Sequence, residues 1–504
     1  MRSRLSTRSS RSAALALVLA AAGCAKAPPA VPAPPLLTPL RQLAADIDAL
    51  IDQPGHRHGI WGIAVESLGR GEQLYERNAR TLLVPASAMK LVTVAVAAAG
   101  VGWDYRFETR LLAAARVHHG ALQGDLVIAG SGDPSFLGRA GIATLDGWTE
   151  ALRERGITRI EGRVVADDNA AEEPAPGYAW AWDDLGYTYG AMPGALNLAE
   201  NRILVTISPS AVPGTPAIVE LPAEARGLAV INDTITGAPD DTRALWPELR
   251  PGEPAVRIRG TIPADARPAV LSIAAGNPTL WFARAVRNRL LAAGIDAAGT
   301  AIDADDLPFP PDLGDAAVLH VHRSAPLAEI AKPLIKDSIN LYAEAVLWLA
   351  AGPGAWRSTW AALDAARARL ASWGIPQEGI QMVDGSGLSR RNVIAPHTLV
   401  SLLARFHDPS GASPWMQAMA VAGRDGSLEN RMKGTPAEGN AIGKTGSMSN
   451  IRTFAGYVKT ADGEPLAVAI MANNFEGPAS AVTTAIDAVV ARLASFSRTP
   501  PAAH

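Results

Sequence analysis

The fold of this chain is decided around residues 83–99, where Leu83-Val84-Pro85-Ala86-Ser87-Ala88-Met89-Lys90 leads into the apolar, alanine-rich run LVTVAVAAA. Ser87 and Lys90 are three residues apart, so that on a helix their side chains emerge from the same face. Pro85 stands just before this pair, at a position where the start of a helix tolerates proline. The stretch therefore predicts a helix that presents a serine and a lysine side by side. Taken alone, the pair is equally typical of an ordinary helix start with a lysine at the surface.

Two more motifs follow in order along the chain. Ser338 and Asn340 form an S-x-N motif within Lys336-Asp337-Ser338-Ile339-Asn340, where Asp337 or Ser338 is suited to cap the helix that follows. Lys444-Thr445-Gly446 is a K-T-G motif at the end of a predicted strand. Each motif alone is weak, because S-x-N occurs by chance in many chains and K-T-G is usually a turn. The three motifs in this order, each in a suitable local context, point to one reaction site.

The residue types in these motifs suit nucleophilic catalysis by a serine. A serine hydroxyl is a poor nucleophile until a base takes its proton. Lys90 can act as that base only if burial or a nearby positive charge lowers its pKa, and Lys444 is the candidate for the second charge. We expect Ser338 to relay a proton toward the leaving amine and Asn340 to contact the substrate amide. Helix capping is the alternative role for this second motif.

The K-T-G strand has the features that would hold a substrate. An edge strand can bind an extended peptide by backbone pairing. Lys444 and Thr445 would attract a terminal carboxylate, and Gly446 permits close approach of the backbone. The backbone N–H groups of Ser87 and Ser447 would form the oxyanion hole.

The ordered motifs resemble those of penicillin-binding proteins and β-lactamases. Three further segments carry the resemblance: Gly130-Ser131-Gly132-Asp133-Pro134, Trp182-Asp183-Asp184 with Tyr189-Gly190-Ala191, and Asp384-Gly385-Ser386-Gly387-Leu388-Ser389-Arg390. With them, nearly all of the mature chain resembles the D-alanyl-D-alanine carboxypeptidase/endopeptidases of the penicillin-binding protein 4 type, the class C low-molecular-mass penicillin-binding proteins. Ser447 departs from that family, in which threonine is common at this position.

The resemblance implies both a fold and an activity. The fold is α+β, a penicillin-binding-protein/β-lactamase-like transpeptidase domain whose antiparallel sheet is flanked by helices, with β-rich inserted domains. The activity is that of a serine D,D-carboxypeptidase/endopeptidase, which cleaves D-Ala-D-Ala termini or D-Ala cross-links of peptidoglycan through an acyl-enzyme and is acylated by β-lactams. The resemblance implies no metal and no cofactor. It places Asp184, Arg390 and Met448 near the pocket for the side chain of the substrate's D-centre, and Asp183 could equally be the matching aspartate.

Two other functions are compatible with parts of this pattern. A β-lactamase would share the acylation machinery but needs a deacylating base, such as a well-placed glutamate. A non-catalytic peptidoglycan-binding lipoprotein would have no need of Ser87, Lys90, Asn340 and Lys444 together.

The chain is long enough for several domains, since 504 residues exceed what one ordinary core accommodates. The segment between Lys90 and Ser338 has mostly strand-like patterns, whereas the first and last thirds mix helices with strands. Periodicity predicts strands over 160–166, 228–234 and 453–459, and helices over 279–293, 338–351 and 479–494. We predict a signal peptide (1–23), a Pro/Ala-rich tether (24–39), a serine D,D-peptidase domain (40–103 and 319–498), an inserted domain II (104–197 and 273–318) and an inserted domain III (198–272).

The N-terminal segment is predicted to direct export. Arginines up to Arg11 precede an apolar run, residues 13–22, that is too short to span a bilayer. Cys24, the only cysteine of the chain, follows small residues and precedes the tether, as the lipidated cysteine of a bacterial lipobox does. The alternative is ordinary signal cleavage near Ala22 or Ala25. We expect a periplasmic protein whose only membrane contact is a lipid anchor on Cys24. In a Gram-negative organism, Ala25 after that cysteine would direct it to the outer membrane.

The net charge argues against nucleic-acid binding, and the spacing of the histidine pairs argues against a metal site. Removing residues 1–23 takes away four of the 46 basic residues and none of the acidic ones, which leaves 42 against 49 and a formal net charge of −7. A chain with this balance and no basic patch is not expected to bind nucleic acid. The histidine pairs His56/His58 and His118/His119 lack a third ligand at a useful spacing for a metal. The acid pairs at 167–168 and 240–241 are typical of turns.

Overall fold

The structure, a computed structural model, describes residues 38–53, 58–139, 145–250, 253, 255–309 and 311–499. The first part of this chain contains four elements: α1 (Pro39–Ile51), β1 (Ile60–Ser67), β2 (Glu72–Arg77) and α2 (Met89–Val101). Helix α2 is apolar on all sides and buried over most of its length, as expected of a helix that crosses the middle of a large domain. In the part of the chain that the structure describes, no helix is both long and apolar enough to span a membrane.

The middle part is rich in short strands. Its elements are β3 (Glu108–Ala113), β4 (Val117–His118), β5 (Ala121–Leu122), β6 (Leu126–Ala129), α3 (Asp146–Glu154), β7 (Arg159–Ile160), β8 (Val164–Asp167), β9 (Arg202–Ser208), β10 (Ile218–Glu220), β11 (Val230–Gly237), β12 (Ala244–Glu248), β13 (Val256–Pro263), β14 (Ala269–Ala274), α4 (Pro278–Ala292), β15 (Asp296–Ala297), β16 (Ala301–Asp303) and β17 (Ala317–Arg323). The single strand predicted over 160–166 is wrong, because it is divided into β7 and β8. A Cβ on Gly162 would lie 2.4 Å from the carbonyl carbon of Gly124, so the chain bends through a tight contact between two glycines there.

Helices return in the last part. Its elements are α5 (Leu327–Lys336), α6 (Asn340–Leu347), α7 (Thr359–Ser372), β18 (Ile380–Gln381), β19 (Val393–Ile394), α8 (Pro396–Phe406), α9 (Pro414–Gln417), β20 (Ala420–Val421), β21 (Ile442–Met448), β22 (Ile451–Lys459), β23 (Pro465–Asn473) and α10 (Ala479–Ala494). The helix predicted over 338–351 starts later and ends in a 3-10 turn, Trp348–Ala351. Its N-cap is Ile339, so the prediction that Asp337 or Ser338 caps it is wrong. Ser338 instead has a φ of +62°, which is incompatible with helical geometry.

The first and last parts share one antiparallel sheet of six strands, in the order β2-β1-β23-β22-β21-β20. Side chains alternate between its two faces, as the period of two along a strand requires. On β23, Val468 and Ile470 belong to an apolar cluster with residues of α1 and α10, whereas Ala469 and Met471 belong to the cluster that contains α2 and α8. The sheet is therefore covered by helices on both faces, which confirms the predicted α+β class.

The middle part forms four smaller sheets. Their orders are β16-β8-β6-β3-β17, β15-β7-β5-β4, β10-β9-β14 and β11-β13-β12. Residues of all four sheets contribute to one large apolar cluster, to which Trp281 and Phe282 of α4 also belong. Strand β17 runs from Ala317 to Arg323 and pairs with β3, so the predicted boundary at 318/319 falls within a strand. The division of the middle part into domains II and III stays a prediction.

Candidate active site

Ser87 lies at the start of α2, in a 3-10 helix formed by Ala86–Ala88. Lys90 lies in the first turn of α2, and its Nζ donates a hydrogen bond to Ser87 Oγ at 2.8 Å. Ala86, immediately before the serine, has a φ of +47°, a conformation that residues other than glycine adopt uncommonly. The backbone therefore bends sharply just before the serine, and strained backbone of this kind is often found at functional sites.

Lys90 is fully buried, and its ammonium group has three hydrogen-bond acceptors. Besides Ser87 Oγ, these are Asn340 Oδ1 at 2.6 Å and the carbonyl oxygen of Ser386 at 2.7 Å. Burial lowers the pKa of Lys90 to about 7, while the nearby carboxyl groups of Glu344 and Asp384 oppose this shift. Near neutral pH, a substantial fraction of Lys90 is therefore uncharged and able to accept a proton from the serine.

Lys444 is also fully buried, on β21. Burial first and the charge of Lys90 second hold the pKa of Lys444 well below its usual value, and its Nζ donates to the carbonyl oxygen of Thr445 at 2.7 Å. Burial is the main cause of the shift at Lys90, and the prediction that the charge of Lys444 also lowers the pKa of Lys90 stays a prediction. Two ammonium groups buried close together repel each other, so the protonated form of one disfavours that of the other.

The S-x-N motif lies at the N-terminal end of α6. Asn340 uses both ends of its amide: Oδ1 accepts from Lys90, and Nδ2 donates to the carbonyl oxygen of Tyr189 at 2.8 Å. The second bond joins helix α6 of the last part to the middle part of the chain. Ser338 is half-buried, and its left-handed backbone conformation precedes the first turn of the helix.

The K-T-G strand passes directly beside the serine. A Cβ on Gly446 would lie 2.5 Å from the carbonyl oxygen of Pro85 and 3.2 Å from the backbone nitrogen of Ser87, so only glycine permits this approach. Strand β21 is not the outermost strand of the sheet, contrary to the prediction of an edge strand. The outer strand β20 pairs only with Ile442 and Gly443, which leaves residues 444–448 without a strand partner on that side in the region described.

A cavity of about 530 Å³ opens at Ser87. We call it the Ser87 cavity; it is lined by Ser87, Ala181, Asp183, Asp184, Tyr189, Ser338, Asn340, Gly387, Leu388, Arg390, Ser447, Met448 and Ser449. Both candidate aspartates line it, so the choice between Asp183 and Asp184 stays open. Asp184 Oδ1 accepts from the Tyr189 hydroxyl at 2.9 Å, and burial together with that carboxyl raises the pKa of Tyr189.

Four of the predicted site residues lie behind the cavity wall rather than in it: Lys90, Lys444, Thr445 and Gly446. Lys444 cannot attract a substrate carboxylate through direct contact in this conformation, because its side chain is wholly buried. The hydroxyl of Thr445 donates to Ser427 Oγ at 2.7 Å. Arg390, by contrast, reaches the rim, where its Nη2 donates to the carbonyl oxygen of Ser449 at 3.1 Å.

Two buried acids behind the site were missed in the sequence. Glu344 lies one turn after Asn340 on α6, and its carboxylate accepts the backbone N–H groups of Gly385 and Ser386 at 2.9 and 2.8 Å. Burial and, second, the neighbouring carboxyl of Asp384 raise the pKa of Glu344 to about 7. By fixing residues 385 and 386, this carboxylate places the Ser386 carbonyl on Lys90. An acidic residue in the otherwise apolar run LYAEAVLWLA is the signal that could have found it.

Asp384 is the second buried acid and organises the loop that follows it. Its carboxylate accepts from the backbone N–H groups of Gly387 and Ser389, both at 2.7 Å, from Asn392 Nδ2 at 2.8 Å and from Trp180 Nε1 at 3.0 Å. Burial raises its pKa despite these hydrogen bonds. The loop is thus a hydrogen-bonded support for the site rather than a simple surface turn.

The described residues of the two histidine pairs, His58, His118 and His119, do not line the Ser87 cavity. His56 lies outside the described residues, and His118 and His119 stack on each other at the surface with ring centroids 4.0 Å apart.

Comparison with known proteins gives a consistent picture. The D-Ala-D-Ala carboxypeptidase 3 (S13) family matches residues 43–495. The chain is 33% identical over 472 residues to a D-alanyl-D-alanine carboxypeptidase of Actinomadura sp. (strain R39), with 91% of this chain and 85% of that protein covered. It is 27% identical over 421 residues to D-alanyl-D-alanine carboxypeptidase DacB of Haemophilus influenzae, with 82% and 85% covered.

Solved structures share the fold. The crystal structure of penicillin binding protein 4 (dacB) from Haemophilus influenzae has a TM-score of 0.78 and 24% identity, and the match covers 90% of this chain and 99% of that one. A second crystal structure of that protein, complexed with a novel β-lactam, has a TM-score of 0.71 at 24% identity and covers 88% and 98%.

Proposed function

The chain belongs to the D-Ala-D-Ala carboxypeptidase 3 (S13) family, and from this premise we propose how it acts as a serine D,D-peptidase on peptidoglycan. It is a D-Ala-D-Ala carboxypeptidase and a penicillin-binding protein, as its relatives are, and it hydrolyses D-Ala-D-Ala termini or D-Ala cross-links. The observation that carries the mechanism is the hydrogen bond of 2.8 Å between Lys90 Nζ and Ser87 Oγ at the floor of the Ser87 cavity.

Ser87 is the nucleophile and Lys90 is its base. Ser87 Oγ attacks the carbonyl carbon of the penultimate D-Ala while uncharged Lys90 accepts the hydroxyl proton. The developing oxyanion lies between the backbone N–H groups of Ser87 and Ser447. Collapse of this intermediate breaks the amide bond, and the departing amine receives a proton through Ser338. Water then attacks the ester of the acyl-enzyme, which releases the shortened peptide and restores the serine.

The peptide substrate lies along the free side of β21. Residues 444–448 offer backbone groups to an extended chain, which suits strand addition to a sheet edge. Asp184 or Asp183, Arg390 and Met448 surround the side chain of the substrate's D-centre in the Ser87 cavity. Lys444 acts from behind this wall: when it is protonated, its charge adds to the field that an anionic substrate meets.

β-Lactams acylate the same serine, because their strained amide presents a carbonyl to the same groups. A β-lactam complex of a protein with this fold supports this part of the proposal. The test is the intact mass of the mature protein after incubation with benzylpenicillin, for wild type and Ser87→Ala. We expect one stable adduct per chain on wild type and none on the variant.

Two outcomes of that experiment would change the proposal. An adduct that disappears within seconds would favour a β-lactamase, which must deacylate rapidly. Absence of any adduct on folded wild-type protein would favour a peptidoglycan-binding role without catalysis.

Export and lipidation are the second part of the proposal. Residues 1–37, which include Cys24, lie outside the described residues, so the support is the sequence pattern of an apolar segment, small residues and a cysteine before a Pro/Ala-rich stretch. The protein is exported to the periplasm and anchored through a lipid on Cys24. Labelled palmitate should enter wild type but not Cys24→Ser, and the variant should move from the membrane fraction to the soluble periplasmic fraction. Wild-type protein that is unlabelled and soluble would contradict the anchor.

A further inference from the structure

Four acidic side chains converge at the ends of two parallel strands in the middle part of the chain. They are distant in sequence from the catalytic motifs. Asp168 directly follows β8, Asp303 ends the neighbouring strand β16, and Asp305 lies in the 3-10 helix that continues from it. One carboxylate oxygen of each of these three residues lies within 4.8 Å of the other two. The carboxyl of Glu173 lies within hydrogen-bonding reach of that of Asp305. We call these four residues the acidic cluster.

Asp168 is buried with one oxygen unpaired. Its side chain is 2% exposed, and its Oδ2 accepts a hydrogen bond from the hydroxyl of Thr279. Its other oxygen, Oδ1, is buried and has no hydrogen-bond partner in the structure. A buried carboxylate oxygen without a donor costs on the order of 1–3 kcal/mol, more when it is charged. This unpaired oxygen is therefore available to coordinate a bound ion.

Within the described ranges, no lysine, arginine or histidine forms an ion pair with any of the four carboxyl groups of the acidic cluster. The donors that reach it are neutral, such as Asn277 Nδ2, which lies 3.3 Å from Asp303 Oδ2. Carboxylates gathered this closely repel one another when charged, and a bound positive ion would relieve that repulsion.

The partial positive charge at the N-terminus of α4 does not balance the cluster. Thr279 lies in the first turn of that helix, but a helix terminus is equivalent to only about half an elementary charge. The acidic cluster offers instead an all-oxygen donor set. Its carboxyl oxygens lie at two adjacent strand ends and on the short turn that follows. Hard divalent cations such as Ca²⁺ and Mg²⁺ prefer such ligands.

We propose that Asp168, Asp303 and Asp305, with Glu173 as a fourth ligand from the surface, bind a hard divalent cation of the Ca²⁺ type. This site is structural and independent of the reaction at Ser87, and it lies outside the histidine and catalytic motifs that the sequence analysis weighed. The sequence-based prediction that the pair at 167–168 is a turn misses it, because Asp167 ends a strand and Asp168 is buried.

The position of the site explains what a cation would stabilise. Soon after Asp168, the chain contacts the last part of the protein. The backbone N–H of Glu172 donates to the carbonyl oxygen of Arg357 at 2.7 Å, and the carboxylate of Glu172 accepts the N–H of Thr359 at 2.9 Å. The same segment carries Trp180, whose Nε1 donates to Asp384. A cation bound at the start of this segment would hold the segment against Asp384 and the loop that supports the active site.

The test is calorimetric titration of the full mature protein, freed of metals with a chelator, with CaCl₂ and separately with MgCl₂. We expect one cation per chain with a dissociation constant on the order of 10⁻⁴ M or tighter. Asp305→Asn removes an exposed ligand and should weaken binding at least about tenfold, and Asp168→Asn removes the buried one. Asp240→Asn, in an exposed turn remote in sequence from the cluster, is the matched control and should bind as wild type does.

Thermal unfolding gives a second readout that needs no catalytic activity. A saturating cation should raise the melting temperature of wild type and Asp240→Asn by about 2 °C or more and leave that of Asp305→Asn almost unchanged. No heat of binding and no thermal shift with either cation up to about 10 mM would overturn the proposal. Binding to Asp305→Asn and Asp168→Asn with wild-type affinity would also overturn it, since the cation would then lie elsewhere. Neither result depends on whether Ser87 is the nucleophile.

Discussion

Lowering the pH from about 8 to about 6 should slow the acylation of Ser87 about tenfold. Burial lowers the pKa of Lys90 to about 7, and only the uncharged amine can accept the serine proton. The uncharged fraction of a group with that pKa is about nine-tenths at the upper pH and about one-tenth at the lower. An exposed lysine, with a pKa near its usual value of about 10.4, would be almost fully protonated throughout this range.

Glu344→Gln tests the sign of this argument. The carboxylate of Glu344 raises the pKa of Lys90, so its replacement by an uncharged side chain of the same size should lower that pKa. A shift of about 1 pKa unit, or 1.4 kcal/mol, is the scale expected for losing one nearby opposite charge. Because the pKa of Glu344 is itself raised to about 7, this carboxyl is mostly uncharged at a pH of about 6, so the acid limb of the variant should move to lower pH by less than that full unit.

The assay is the second-order rate of acylation by a fluorescent penicillin, measured in steps across this pH range and normalised to each protein's maximum. Glu329→Gln is the control, because Glu329 forms a surface ion pair with Lys332 on α5 and should leave the profile unchanged. Unfolding is monitored by circular dichroism at each pH. A rate that does not change between the two ends of the range, or an acid limb that moves to higher pH in Glu344→Gln, would refute the role assigned to Lys90.

Two substitutions in the supporting structure give further predictions. Gly446→Ala places a Cβ 2.5 Å from the carbonyl oxygen of Pro85, so it should lower the free energy of unfolding by about 1–3 kcal/mol and the acylation rate at least tenfold. The control is Gly147→Ala, at a helical glycine where no atom lies within 4 Å of the added Cβ. In the same denaturant titration, this control should be neutral or stabilising by up to about 1 kcal/mol. Asn340→Ala removes an acceptor of Lys90 and should reduce kcat/KM for a D-Ala-D-Ala peptide about 100-fold; wild-type kcat/KM in a folded variant would contradict its place in the site.

The sheet and the motif order could be predicted from the sequence because their signals are local. Strand β22 covers Ile451–Lys459 where 453–459 was predicted, and α10 covers Ala479–Ala494, as predicted. The spacing of Ser87 and Lys90 likewise fixes a shared face, because three residues make almost one helical turn.

The support behind the site could not be predicted, because it depends on contacts between distant segments. Glu344 is stabilised in the interior by backbone N–H groups about forty residues further along the chain, and no local pattern indicates that partnership. The burial of Lys444 and the left-handed conformation of Ser338 follow from tertiary packing in the same way. The split of the strand predicted over 160–166 has a similar cause, since the close approach of Gly162 to Gly124 brings together two loops.

The central claim is that Ser87 performs the hydrolysis of D-Ala-D-Ala bonds, and release of D-alanine from a peptide ending in D-Ala-D-Ala tests it most directly. Wild type and Ser372→Ala, a change at an exposed serine at the end of α7, should release D-alanine at equal rates. Ser87→Ala should lose at least about 10³-fold of that rate while keeping the wild-type circular dichroism spectrum and melting temperature. A folded Ser87→Ala protein that still releases D-alanine at a rate near that of wild type would contradict the account.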